Sequence, residues 1–252
     1  MGPECTVEVD GPLAVLAALR VLPGGFEVPI NGVPRLRVVR LHSEAALPTP
    51  MMAPTFAGGS YRLSNGLLEV VIPEDPFAAE AALRIAWHAV TLELGGLLLH
   101  ASGVSFGGVA VVAPGESGDG KSTLAELCAT HGGAQLLSDE IVQVFPEGTC
   151  AGTPFRSSCA IPGAPCPSRI GLLVKLVKGS AERLDPLPPA EAFPWLMRAT
   201  YEPEPGAVPP GEKARRVMRL LASVPAQRLT FRKDAAVATF LREALGAPLG
   251  SR

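Results

Sequence analysis

The nine residues GESGDGKST, Gly115 to Thr123, follow the apolar run VAVVAP and precede a segment with amphipathic helical spacing. Gly115-x-x-x-x-Gly120-Lys121-Ser122 fits the phosphate-loop pattern in full. A strand, a glycine-rich turn and a helix in that order require a helix laid against a sheet, so the chain is expected to be an α/β protein. Glycines at 115, 118 and 120 permit backbone angles and close approach that a Cβ would block, so successive N–H groups can turn inward on phosphate oxygens. The helix that follows adds its N-terminal partial positive charge. Lys121 would reach the β- and γ-phosphates and Ser122 would sit on Mg²⁺. The expected nucleotide-binding set is Gly115, Ser117, Gly118, Asp119, Gly120, Lys121, Ser122 and Thr123, with a nucleoside triphosphate as ligand.

Flanking patterns extend this reading. LLLHASGVSF and VAVVAP read as two strands joined at Gly107-Gly108, and Lys121 to His131 as a helix stopped by Gly132. AQLLSDEIVQVF reads as a strand interrupted by an acidic pair, and residues 146 to 169 as a proline-rich loop. RIGLLVKLVKG and AQRLTFRKD read as further strands, and PPAEAFPWLMRATY and AAVATFLREAL as helices. Upstream, TVEVDG and PRLRVVRLH are strand-like, LAVLAALRVL is apolar throughout, and Asn65-Gly66 lies between two strand-like runs as a hairpin turn. A helix is expected from Pro76, with Asp75 as its N-cap, to the Gly95-Gly96 pair. The division expected is 1–75, a small N-terminal α/β region without readable chemistry, and 76–252, a nucleotide-binding domain.

Composition narrows the partners. A formal charge of −2 lacks the basic excess that neutralises a nucleic-acid backbone, so no nucleic-acid partner is expected. No apolar stretch approaches the roughly 20 residues of a membrane span, and the N-terminus lacks a basic region followed by an apolar one. The five cysteines show no C-x-x-C spacing, which reads as free thiols in a reducing cytoplasm. Self-association is left open.

Phosphoryl transfer also needs a group to orient or deprotonate the nucleophile, and a metal to neutralise charge. LLSDE places Asp139 and Glu140 one helix and one short strand beyond Lys121. Neighbours on a strand face opposite ways, so one acid can meet a metal while the other meets the acceptor, or one is simply a solvated surface acid.

The stretch from His100 to Val144 resembles the catalytic domain of the HPr kinase/phosphorylase family: a histidine-bearing strand, a strand ending in G-x-S-G-x-G-K-S, a helix, and a strand with two acids. GTPF at 152–155 and LTFRKDA near the end are similar to shorter relatives found beside peptide-modification genes. The resemblance implies a mixed central sheet with a P-loop and flanking helices, related to the nucleotide domain of phosphoenolpyruvate carboxykinase. It implies ATP and Mg²⁺ as cofactors, Asp139 as the base for a seryl hydroxyl, Ser122 and Glu140 as metal ligands, and His100 and Lys121 beside the phosphates. The implied activity is transfer of the γ-phosphoryl group to a serine of a peptide or protein. A small hydroxylated metabolite is the alternative acceptor, and an inactive ATP-binding regulatory or scaffold protein the alternative function. The glycine-rich signature of bifunctional members has no counterpart after the acids. Only Arg156 and Arg169 offer phosphate clamps there, with a plain loop cation as the other reading of each.

Overall fold

A computed structural model describes residues 5–10, 38–43, 52–54, 60–64, 67–71 and 76–246, the last span without positions 156, 158, 160, 162, 204 and 205. The apolar run at 13–22, the turn at 65–66, the Asp75 cap and Arg156 lie outside these residues.

Two sheets flank one long helix. The first holds β1 (Cys5–Asp10), β2 (Val38–Ser43), β3 (Met52–Pro54), β4 (Ser60–Ser64) and β5 (Leu67–Val71), all antiparallel, in the order β1-β2-β5-β4-β3. Ser64 pairs with Leu67, so β4 and β5 form the expected hairpin. Helix α1 (Pro76–Glu93) then lies against β5 and against β6 of the second sheet.

The second sheet is mixed. Its path runs β10 (Thr149–Ala151), β9 (Ile141–Phe145), β6 (Leu97–Phe106), β7 (Val109–Pro114), β11 (Ser168–Lys178), β13 (Ala226–Phe231) and β12 (Arg183–Pro186), with β8 (Gln135–Ser138) also on β6. The pairs β7–β11 and β11–β13 are parallel; β6, β8, β9, β10 and β12 pair antiparallel. Helices cover both faces: α2 (Lys121–His131) and α5 (Ala236–Ala244) on one, α3 (Pro189–Ala199) and α4 (Pro210–Ser223) on the other. Strand periodicity assigns the faces. Ala110 and Val112 of β7 join the core under α3 and α4, while Val111 and Ala113 join the core under α2 and α5. Burial on both faces explains why β7 reads as a continuous apolar run. Leu173, fully buried between β7 and β13, illustrates the energetic weight: truncation to alanine is worth about 2–5 kcal/mol.

Three short strands depart from the sequence reading. β10 lies within the stretch read as loop, and β3 and β12 were not anticipated. Each is three or four residues long and takes its register from a neighbour, β4, β9 or β13, so none carries a periodic signal of its own. Cys128, Cys150, Cys159 and Cys166 are free thiols, and burial pushes that of Cys128 up to about 12.

Candidate functional site

Strand β6 brings the candidate residues together. Ala101 pairs with Pro114 at the end of β7, and the Gly115 amide donates to the His100 carbonyl at 3.1 Å, so the glycine loop leaves the sheet beside His100. On the opposite edge, β8 and β9 run along β6 as one interrupted strand, and the Ala101 amide donates to the Glu140 carbonyl at 3.0 Å. The loop and the acidic pair are therefore the two neighbours of the same short piece of β6.

The loop turns through positive φ at Gly118 (90°) and Gly120 (99°), conformations that favour glycine, and enters α2 at Lys121. The Asp119 carboxylate accepts the Glu116 amide at 2.7 Å, which braces the turn. Lys121 is buried, and its Nζ donates to the carbonyls of Gly115 (3.0 Å) and Glu116 (2.7 Å), both inside the loop. Burial lowers its pKa, against the opposing pull of Asp119, Asp139, Glu116 and Glu140.

The two acids part company. The register of β6 against β8 shifts between Leu136 and Ser138, ahead of the acids; from Ser138 opposite Gly103 to Ile141 opposite His100 it runs unbroken, so the acidic pair stays in step with β6. The Ser138 hydroxyl donates to the Phe155 carbonyl and accepts the amides of Glu140 (3.2 Å) and Ile141 (3.1 Å), which fixes the bend. Asp139 is 1% exposed, and its two oxygens accept the amides of Ser157 (2.9 Å) and Cys159 (2.8 Å). Glu140 instead takes the Arg84 guanidinium of α1 at 3.1 and 3.0 Å. Arg84 also binds Glu80 and lies 4.6 Å over the Phe155 ring. Burial works against the Arg84 charge, but the Glu140 and Glu80 carboxylates outweigh it and hold the pKa above its usual value.

A cavity of about 270 Å³ collects the loop and the first acid: Gly118, Gly120, Lys121, Ser122, Thr123 and Asp139 line it, with Ser117, His100 and Ser157. Gly115 and Asp119 face a second cavity instead, and Glu140 lines neither. The Ser122 hydroxyl and the Asp139 carboxylate are oxygen donors of the kind Mg²⁺ takes, an ion that needs one or two protein oxygens besides phosphates and water. The expected ligand Glu140 is committed to Arg84.

The second cavity, about 400 Å³, shares His100 and Ser117 with the first and adds Lys175, Trp195 and Arg198. Sequence reasoning missed these three. The available signal was that β11, read as a strand, would end beside the loop if it ran parallel to β7, as strands of this class do. Arg169 does not serve as a phosphate clamp. It pairs with Val109 at the start of β7, roughly 16 Å of extended chain away from Pro114. His100 is half-buried, and burial first, then Lys121 and Arg84, holds its imidazole below the ordinary value of 6.5 against the pull of Asp119.

Comparison with family models found no match, and comparison with curated proteins found none either.

Proposed function

We propose that the protein is an ATP-dependent kinase that transfers the γ-phosphoryl group to a hydroxyl, with a serine of a peptide or protein as acceptor. One observation carries the reading: the buried Asp139 carboxylate lines the same cavity as Lys121 and Ser122, although the two segments come from opposite edges of β6. The glycine loop and the start of α2 supply the backbone amides and dipole that suit phosphates, and Lys121 supplies a point charge that would exchange its loop carbonyls for phosphate oxygens. Ser122 would hold Mg²⁺, whose chemistry is to neutralise charge on the transferring group, with Glu140 joining only on release from Arg84. Asp139, held by the Ser157 and Cys159 amides, would orient the acceptor hydroxyl and take its proton. His100, neutral at pH 7, would border phosphate and acceptor alike. The HPr-kinase-like pattern of histidine, loop and acids agrees with these roles.

A second reading, an ATP-binding module without turnover, draws on the engagement of Glu140 by Arg84. Calorimetry with Mg·ATP, followed by ATP consumption in wild type and Asp139→Asn, decides between them. The kinase reading expects binding in both and a loss of turnover of about 100-fold or more in the variant. Equal turnover with intact binding favours the module, and absence of heat removes both.

A further inference from the structure

The larger cavity holds two cations without a described anionic partner. Arg84, Arg183, Lys213, Arg215, Arg216, Arg228 and Arg232 each sit within salt-bridge distance of a carboxylate; Lys175 and Arg198, like Lys121, Arg169, Lys178, Arg219, Lys233 and Arg242, have no ion pair among the described residues. Of these, Lys175 and Arg198 line this one cavity. Their placement follows from topology. Lys175 lies on β11 two residues beyond the Leu173–Val112 pair, so it stands level with the end of β7, where the glycine loop departs. Arg198 closes α3, and the chain directly after it occupies the β6 edge that β7 vacates: Thr200 bridges Leu99, and the Tyr201 amide donates to the Leu98 carbonyl at 2.8 Å. The last turn of α3 is thereby held next to the loop by main-chain bonds.

The walls of the cavity are polarised. Glu116 and Asp119 lie on the loop side, with Asp119 folded onto the Glu116 amide, while Lys175 and Arg198 come from β11 and α3. Trp195, three residues before Arg198 and so on the same helix face, adds an apolar wall. A guanidinium fork and a lysine beside an aromatic ring suit a planar or tetrahedral oxyanion such as a carboxylate or phosphate.

We infer that this cavity is the acceptor site and that it recognises its substrate through an anionic group held by Lys175 and Arg198. The inference rests on the kinase reading for the word acceptor, and on the cavity alone for the anion. The hydroxyl substrate is then an acidic one, its charge held on the walls formed by β11 and α3 while its hydroxyl reaches the side of the cavity shared through His100 and Ser117. The nucleotide's own phosphates are the competing source of that charge.

Inorganic sulfate, which does not titrate near neutrality, is the probe, and quenching of Trp195 fluorescence is the readout. Wild type, Lys121→Met, Lys175→Met and Arg198→Met are compared on the full chain, and Mg·ATP affinity is measured in parallel. Quenching that survives Lys121→Met but weakens about tenfold or more in Arg198→Met and Lys175→Met, with Mg·ATP affinity within twofold of wild type, is the expected result. Loss of Mg·ATP affinity in those two variants with sulfate quenching intact would assign the cations to the nucleotide and overturn the inference. So would quenching that disappears in Lys121→Met alone, or no quenching at all. Sulfate binding in a protein that ignores Mg·ATP would leave the anion site standing and remove the kinase reading. Should the methionine variants fail to fold, Arg198→Lys provides the second measurement, since it keeps the charge but loses the fork.

Discussion

The two cavities on either side of His100 are built by different means. The smaller is made largely from one stretch of chain, Ser117, Gly118 and Gly120 to Thr123, completed by Asp139 from across β6. The larger takes its chemistry from Lys175, Trp195 and Arg198, scattered over a strand and a helix with no local pattern. A site that depends on backbone amides and turn geometry must be encoded locally. A site made of side-chain charge needs only that the fold deliver the right residues to one place, and here the parallel pairing of β7 with β11 and the bridge from Leu99 to Thr200 do so.

The largest expected effect separates the two outright. Lys121→Met removes a charged donor from the first cavity and should weaken Mg·ATP by about 2–5 kcal/mol in calorimetry, whereas Arg198→Met should leave that affinity alone. Equal losses in both variants would merge the cavities into one site.

Next comes the stability of the frame both share. His88 on α1 is 4% exposed, and burial pushes its imidazole down to about 4. A depressed histidine contributes stability that is present above the unfolded value of 6.5 and lost as pH falls toward 4, here up to about 3 kcal/mol. Urea unfolding of His88→Leu at pH 7 and pH 5 should show a flatter pH dependence than wild type.

Arg84→Met tests whether the second acid is structural. It strands the Glu140 carboxylate, and partial exposure of the pair holds the expected loss to about 2 kcal/mol by urea unfolding. The double variant Arg84→Met/Glu140→Gln should recover part of that loss. If Arg84→Met instead tightens Mg²⁺-dependent nucleotide binding, Glu140 belongs with the metal after all.

The smallest effect asks what the shared wall does. The His100 pKa is depressed, so its proton is taken up only below 6.5, and an anion bound on either side raises that pKa. Sulfate and Mg·ADP should therefore each bind roughly threefold more tightly at pH 5.5 than at pH 7, and His100→Gln should flatten both slopes. If only one slope flattens, His100 serves one cavity.

How much of this the sequence carries follows the same division. The loop, the helix from Lys121 to His131 and the break at the acids were legible because glycine spacing and apolar runs are local signals. The fates of Asp139 and Glu140 were not, because the amides that hold Asp139 come from the loop after β10 and the partner that claims Glu140 lies on α1, far off in sequence. Arg169 and Lys175 are both cations of β11. Only the register against β7 reveals that the first lies at the wrong end of the strand and the second at the right one.

Strand β6 sets a rule for length. It pairs with β7 on one edge and with β8 and β9 on the other, and hands part of its first edge to Thr200. Adding or deleting a single residue between Leu97 and Phe106 would turn every later side chain to the opposite face and slide the glycine loop past the acids. Growth or shrinkage of this chain is therefore expected at the Gly107–Gly108 turn, which faces solvent at the far end, and not within the ten residues before it.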